Sequence, residues 1–132
     1  MIFLELEDVI ATNEDVVNKF GGMIGIRDKT LIESAIANPR NLYFYQDADI
    51  YTLAASYAFS ITRNHPFLDG NKRTGFATMY LFLKINGITI KCPTDESIEI
   101  MVKVATKEIT IEQFSSWLKF LDPNRPKNEA LN

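Results

Sequence analysis

The chain has very little of the chemistry that several functional classes require. Its 132 residues contain one cysteine, Cys92, and one histidine, His65. A single cysteine cannot form an internal disulfide, and one histidine with one cysteine gives no pattern for a zinc site. The sequence also lacks the G-x-x-x-x-G-K-S/T loop and the G-x-G-x-x-G fingerprint. Neither a P-loop nor a dinucleotide-binding Rossmann fold is therefore indicated.

Long hydrophobic runs and an excess of positive charge are missing as well. No apolar stretch approaches the roughly 20 residues that span a bilayer. Residues 1–5 lack the positively charged segment that opens a signal peptide. The formal net charge is −3, whereas nucleic-acid-binding surfaces are normally basic. We therefore expect a cytoplasmic protein that binds neither a membrane nor nucleic acid directly.

The composition is that of an ordinary folded domain, with 46% hydrophobic and 23% charged residues. A chain of this length has room for one hydrophobic core. There are no internal repeats, low-complexity tracts or linkers. We predict a single domain over residues 1–123, because Asp122-Pro123 ends the last apolar stripe, and a polar tail over residues 124–132.

Hydrophobic residues recur at helical spacing along most of the chain, which predicts an all-α fold. Asp28, either Thr94 or Asp95, and Thr110 are the expected N-caps, and Asn38-Pro39 is the expected end of the second helix. The predicted helices cover residues 6–20, 28–38, 52–63 and 71–86, followed by two that begin near residues 94 and 110. The helix over 71–86 is apolar nearly all round, so it is predicted to be the buried central helix of a compact bundle.

Two connections have an open interpretation. Residues 40–50 read as irregular and carry Tyr43, Phe44 and Tyr45. These aromatic residues either pack under the core or form a loop that docks a peptide beside a functional site. Residues 88–92 alternate briefly in hydrophobicity and could be a strand-like link.

The most informative stretch is the polar loop, residues 65–73, with the sequence HPFLDGNKR. Turn and cap residues place it at the N-terminus of the helix that follows, where free N–H groups and the helix dipole favour an anion. Lys72 and Arg73 are poor choices for the first turn of an isolated helix. They are good choices where a polyphosphate supplies the counter-charge. The polar loop is therefore predicted to be a phosphate site.

His65 and Asp69 are the candidate acid–base and metal residues of the polar loop. Imidazole has an unperturbed pKa near neutrality, so His65 can take a proton from an attacking hydroxyl. Asp69 is the only carboxylate in the polar loop. It is either a turn residue or, next to a phosphate, a ligand for Mg²⁺.

The other polar residues of the loop suit phosphate binding. Gly70 lets the backbone approach a phosphate closely, and Asn71 can donate its amide to a phosphate oxygen. Lys72 supplies a point charge, and Arg73 supplies a fork for bidentate contact.

The polar loop resembles the signature of the Fic/Doc family, H-P-F-x-D/E-G-N-G/K-R, at every specified position. The resemblance implies a helical bundle with this loop ahead of a central helix. Most Fic members have glycine at the position of Lys72. The N-K-R form, together with Gly21-Gly22 and Gly25-Ile26-Arg27-Asp28, resembles the death-on-curing (Doc) branch, the toxins of toxin–antitoxin pairs.

The Doc resemblance implies a kinase that uses ATP and Mg²⁺ and moves the γ-phosphate to a serine or threonine of a translation factor. Elongation factor Tu is the expected target, and growth arrest is the expected outcome. By this resemblance His65 is the general base, Asp69 the Mg²⁺ ligand, and Lys72 and Arg73 neutralise phosphate charge. Gly70 and Asn71 form the anion-binding turn. Arg27 and Asp28 are left as a structural ion pair or cap.

Two other functions remain open. An AMP transferase of the ordinary Fic type is compatible with the polar loop apart from Lys72. An inactive binding module is disfavoured by the intact His65 and Asp69. Some Fic proteins inhibit themselves with an S/T-x-x-x-E-G/N helix, and no glutamate of this chain has serine or threonine four residues before it. We therefore expect an antitoxin as a separate protein partner.

Overall fold

A computed structural model describes residues 1–126, and within this range the predicted all-α class is confirmed. The only β-type pairing among these residues is one isolated bridge between Ile26 and Phe67. No helix in the described range is long and apolar enough to cross a membrane. The helices are α1 (Leu6–Phe20), α2 (Lys29–Gln46), α3 (Ile50–Asn64), α4 (Asn71–Ile85), α5 (Thr94–Ala105) and α6 (Ile111–Leu121).

Two of the three predicted caps are confirmed. The Asp28 side chain accepts a hydrogen bond from the Thr30 N–H at the start of α2. Thr110 and Gln113 form a reciprocal capping box at the start of α6. The prediction for α5 is wrong, because its N-cap is Pro93 and no side chain caps it.

Helix α2 does not end at Pro39, so the predicted end at Asn38-Pro39 is wrong, and of the predicted irregular segment over residues 40–50 only residues 47–49 lie outside a helix. Pro39 lies buried inside the helix, which continues to Gln46. Proline normally interrupts a helix because it lacks an N–H and its ring crowds the preceding turn. Here the continuation packs the core, since the Tyr43 ring meets Phe3 edge-on at a centroid distance of 5.6 Å. Tertiary packing therefore overrides the local signal.

The aromatic segment at the end of α2 does not lie beside the polar loop. The start of α2 contacts that loop, since the Asp28 N–H donates to the Pro66 carbonyl. The 18 residues of α2 span about 27 Å, which separates the aromatic end from the loop. Tyr43 is half-buried against the core, whereas Phe44 and Tyr45 are exposed. The segment is therefore not a loop beside the functional site, and docking of a target on Phe44 and Tyr45 stays a prediction.

The bundle surrounds one buried helix, but that helix is α3 and not α4. Ten of the 15 residues of α3 are buried, against six of the 15 in α4. The small residues Ala54, Ala55 and Ala58 are fully buried on α3, so neighbouring helices can approach its backbone. Because α3 packs on all sides, its last residue holds the start of the polar loop in a fixed place.

The connection after α4 and the first residue after α6 contact the same core. Residues 88–92 form no strand, and Ile90 within them is buried. Near the C-terminus the Tyr51 hydroxyl donates to the buried Asp122 carboxylate at 2.7 Å. Burial and this carboxylate raise the pKa of Tyr51 well above its usual range. The predicted division into residues 1–123 and 124–132 stays a prediction, and residues 127–132 of the tail lie outside the described residues.

Candidate phosphate-binding site

The polar loop joins the end of α3 to the start of α4 and is anchored from below. Pro66 and Phe67 are buried, with Phe67 in a small core cluster beside Val9, Ile32 and Ile61. His65 is exposed and is the C-cap of α3. Its backbone lies in the left-handed region, with φ 50° and ψ 58°. This conformation costs a non-glycine residue about 1–2 kcal/mol, so other contacts must hold it.

Asn71 closes the loop on itself. Its Oδ1 accepts a hydrogen bond from the Phe67 N–H at 3.0 Å, and its Nδ2 donates to the Phe67 carbonyl at 3.0 Å. The amide was expected to serve a phosphate oxygen. In the structure it fixes the shape of the polar loop, and only the second N–H of Nδ2 is left for a ligand.

Gly70 is the N-cap of α4 and has φ 75°. A left-handed backbone at this point favours glycine. A Cβ here would also touch the side chains of Val16 and Val17 at 3.4 Å. No side chain caps the first turn of α4, so its N–H groups are available to an anion, as the sequence predicted.

Asp69 is exposed, and it accepts hydrogen bonds from α1 and from the segment that follows α1. One carboxylate oxygen, Oδ2, accepts the Met23 N–H at 2.7 Å. The Asp69 carbonyl accepts a hydrogen bond from Asn13 Nδ2 at 2.9 Å, and the same nitrogen donates to Thr74 Oγ1 at 3.1 Å. The buried Asn13 therefore ties α1 to both ends of the turn into α4.

A single carboxylate such as that of Asp69 suits Mg²⁺ better than it suits a metal ion that is bound by protein ligands alone. Residues 1–126 contain no cluster of three or more histidine, cysteine or acidic side chains that could hold a metal. Mg²⁺ needs few protein ligands, because it keeps several waters and takes the rest of its oxygens from substrate phosphates. Oδ1 of Asp69 has no hydrogen bond to the described residues and is suited to this role.

Lys72 and Arg73 lie exposed on the first turn of α4 and line a cavity of about 530 Å³. The Arg73 guanidinium stacks on the Phe20 ring at 4.4 Å from its centroid. The cavity lies between α1, α4 and α5, and its apolar wall includes Phe76, Ile98 and Val102. Ile98 and Val102 belong to the apolar stripe of α5, yet both are exposed on this wall. His65 and Asp69 do not line the cavity.

The glycine segment, residues 21–27, packs along the polar loop. Gly25 accepts a hydrogen bond from the Leu68 N–H at 3.0 Å, and the Pro66 carbonyl accepts from the Arg27 N–H at 2.8 Å. A Cβ on Gly25 would meet Leu68 Cδ1 at 2.6 Å. The Leu68 side chain would therefore have to move to admit another residue at position 25.

Arg27 and Asp28 have separate roles in the structure. The Arg27 guanidinium donates to two backbone carbonyls, from Nε to His65 at 2.6 Å and from Nη2 to Asn64 at 2.8 Å. Asp28 is a helix cap, and the Thr30 hydroxyl bonded to it lowers the pKa of its carboxyl below the usual value. The sequence interpretation as an ion pair or cap is thus right for Asp28 as a cap, and it missed the contacts of Arg27.

Sequence reasoning also missed Asn13 and the Met23 N–H. A polar residue among the buried positions of α1 was a usable signal for Asn13. No signal was available for a backbone N–H, which any residue carries.

The described residues form an all-helical bundle in which no side chain caps the N-terminus of α4 and two cations lie on its first turn. Residues 3–83 match the model of the Fic/DOC family, and the chain belongs to that family. Its expected membership is thereby confirmed.

Two relatives are similar over most of their length. "Toxin Doc" of Mycolicibacterium smegmatis is 32% identical over 120 residues, which are 88% of this chain and 90% of that protein. "Protein kinase doc" of Escherichia phage P1 is 29% identical over 116 residues, which are 87% of this chain and 91% of that protein. Both relatives carry the Doc name.

Proposed function

We propose that this protein is a Doc-type toxin kinase that transfers the γ-phosphate of ATP to a serine or threonine hydroxyl of a translation factor, with elongation factor Tu as the expected target. The observation that carries the proposal is the uncapped N-terminus of α4 with Lys72 and Arg73 on its first turn. The phage P1 relative named "Protein kinase doc" supports the type of reaction. Modification of a translation factor would arrest growth.

In the proposed reaction His65 acts as the general base. Its imidazole takes the proton of the target hydroxyl as the hydroxyl oxygen attacks the γ-phosphorus, and the bond to the bridging oxygen of ADP breaks. The N–H groups of α4 with Lys72 and Arg73 neutralise the charge that develops on the phosphoryl oxygens. Asp69 would hold Mg²⁺, which would supply positive charge to offset that of the phosphates.

Lys72 is the residue that favours phosphate transfer over AMP transfer. It occupies the position at which most Fic members have glycine. It lies on the first turn of α4 and lines the cavity. Its side chain takes space that glycine leaves open to the α- and β-phosphates. A nucleotide seated the other way round would then present its γ-phosphate to His65. Positioning and electrostatics carry most of the catalysis in phosphoryl transfer, so this reversal changes the reaction without new catalytic groups.

AMP transfer to a protein hydroxyl is the second candidate function. The rest of the polar loop supports it equally, because His65, Asp69 and Arg73 are the same in both branches. Only Lys72 and the name of the phage P1 relative favour the kinase. An inactive binding module is the weakest alternative, since the candidate base and metal ligand are both present.

The proposal includes a separate antitoxin that binds across or beside the polar loop and the neighbouring cavity. The relative named "Toxin Doc" supports such a partner, as does the missing self-inhibitory glutamate. The cavity between α1, α4 and α5 combines an apolar wall with Lys72 and Arg73. That chemistry suits an amphipathic segment that carries acidic residues.

Mass spectrometry of the modified target tests the proposed function. Elongation factor Tu is incubated with ATP and Mg²⁺ and either the wild-type protein or the His65→Ala variant. We expect a phosphate on a serine or threonine with the wild type alone. An AMP adduct would select the second candidate. If no protein of a bacterial lysate acquires phosphate or AMP after incubation with the wild type, both candidates are contradicted.

A further inference from the structure

Arg27 makes a contact with the proposed base residue that the reaction itself does not explain. Its guanidinium donates hydrogen bonds to two successive backbone carbonyls at the end of α3, those of Asn64 and His65. Its own N–H donates to the next carbonyl, that of Pro66. Three consecutive carbonyls on either side of the imidazole are thus bound by one residue.

The backbone of His65 needs such support. Helix α3 ends there with carbonyls that have no partner within the helix, and the His65 φ of 50° lies in the left-handed region. A cation is favourable at a helix C-terminus because of the helix dipole. The planar fork of arginine donates along two fixed directions at once, which the point charge of lysine cannot do.

We propose that Arg27 is a positioning residue that holds His65 in its left-handed conformation and thereby sets the direction of the imidazole. It acts through backbone carbonyls and does not touch the substrate. The inference rests on the proposed function only in that His65 is taken as the general base. The effect on the His65 backbone is independent of that reaction.

Arg63 offers a matched control within the same chain. Its Nε donates to the Val104 carbonyl at 2.9 Å and its Nη2 to the Ile109 carbonyl at 3.1 Å. Arg63 lies on the last turn of α3, two residues before His65, and it uses the same two nitrogens on two carbonyls, one in α5 and one in the connection to α6. Loss of either arginine removes the same kind of bond, and only Arg27 bonds to His65.

The kinetic test compares Arg27→Ala, Arg27→Lys and Arg63→Ala with the wild type. Misplacement of a catalytic group by about 1 Å costs on the order of 100-fold in rate. We expect kcat to fall roughly 10- to 100-fold in both Arg27 variants, with KM for ATP unchanged because the phosphate residues lie at the other end of the polar loop. Arg63→Ala should keep the wild-type kcat even if its melting temperature drops. Added guanidinium, below unfolding concentrations, should restore part of the rate of Arg27→Ala.

A spectroscopic readout separates this inference from the proposed function. His65 is the only histidine, so the imidazole signals in a nitrogen-15 NMR spectrum belong to it alone. We expect these signals to shift and broaden in Arg27→Ala and to stay unchanged in Arg63→Ala.

Several results would overturn the role of Arg27. They are unchanged imidazole signals in Arg27→Ala, a loss of activity that lies in KM for ATP, full activity of Arg27→Lys, or an equal loss of kcat in Arg63→Ala. If the wild type transfers no phosphate at all, the proposed function fails. The NMR comparison then still decides whether Arg27 positions His65.

Discussion

His65 combines features that are rarely found together in a structural histidine. It is exposed, it ends the most buried helix of the bundle, and its backbone is held in the left-handed region by contacts from outside the polar loop. Core packing explains none of these features, because the side chain contributes no buried volume. These features are compatible with the proposed role of the imidazole as a general base.

Replacement of the base should remove activity and leave the fold intact. We expect His65→Ala to lower the rate of transfer about 10²- to 10⁴-fold, the usual effect of losing a general base. Its thermal unfolding should match the wild type because the side chain is exposed. Substantial transfer by the folded variant would rule out His65 as the base.

Asp69→Asn separates the two tasks of the Asp69 side chain. An asparagine oxygen can still accept the Met23 N–H, so the polar loop should keep its shape, while the charge for Mg²⁺ is lost. Loss of even an outer partner costs metal affinity about 10- to 100-fold. We expect the Mg²⁺ concentration for half-maximal ATP binding to rise by at least about tenfold. A titration that overlays the wild type would show that Asp69 is only a turn residue.

The polar loop could be predicted residue by residue because its residues are contiguous in sequence. Turn chemistry and charge placed Asp69, Gly70 and Lys72 at a helix N-terminus, where the structure has them. Asn13 and Arg27 could not be placed, because they reach the loop from α1 and from the glycine segment through tertiary contacts. For Asn71 the position in the loop could be predicted, but its hydrogen-bond partner could not. That partner is the Phe67 backbone, and the contact depends on the shape of the turn.

Among the elements, the helices followed from periodicity and their relative burial did not. Helix α4 has apolar residues on nearly all sides, but part of that surface faces the cavity, where Phe76 and Ala77 line the wall. Helix α3, the most buried of the bundle, has the small residues Ala54, Ala55 and Ala58, which let neighbours approach. Small side chains are a weaker sequence signal than large apolar ones, although they decide which helix is central.

The crossing of α3 and α4 should depend on Gly75. A Cβ at this position would overlap Thr62 Oγ1 and lie 3.0 Å from the Ala58 carbonyl oxygen. Alanine favours helices over glycine by about 1 kcal/mol, but overpacking a core costs about 1–3 kcal/mol. We expect Gly75→Ala to lower the free energy of unfolding, measured by urea denaturation.

Thr62→Ala provides the partner variant for Gly75→Ala, because it removes the overlapping hydroxyl. Oγ1 of Thr62 has no hydrogen-bond partner among the described residues, so its removal costs no bond. The double variant should recover part of the stability that Gly75→Ala loses. Strictly additive effects of the two substitutions would indicate that the helices do not meet as the structure shows.

Viewed as a whole, the molecule collects its functional groups at one end of the bundle. The end of α3, the start of α4 and the glycine segment meet there, and the cavity opens beside them between α1, α4 and α5. The chain carries a net charge of −3, yet two cations stand together at this point. These two cations would attract an anionic nucleotide or an acidic partner segment.

A toxic activity without an internal inhibitor should be visible in living cells. We expect expression of the wild-type protein alone to arrest bacterial growth, and expression of His65→Ala to be tolerated at the same protein level. Co-purification from cells that also produce the antitoxin should yield a tight complex of the two proteins. Normal growth with an abundant, active wild-type protein would contradict both the toxin assignment and the need for an antitoxin.

The central claim, that the polar loop transfers the γ-phosphate of ATP and that Lys72 sets the orientation of the nucleotide, is tested most directly with ATP labelled separately at the α- and γ-phosphates. The assay is run on the wild type and on Lys72→Gly with the same target. The wild type should pass only the γ label. Lys72→Gly should lose about 2–4 kcal/mol of transition-state stabilisation, or roughly 30- to 1,000-fold in rate, and we expect it to gain some transfer of the α label. Transfer of the α label by the wild type would contradict the kinase assignment and favour an AMP transferase. If Lys72→Gly matches the wild type in rate and in the label transferred, Lys72 has no part in orienting the nucleotide.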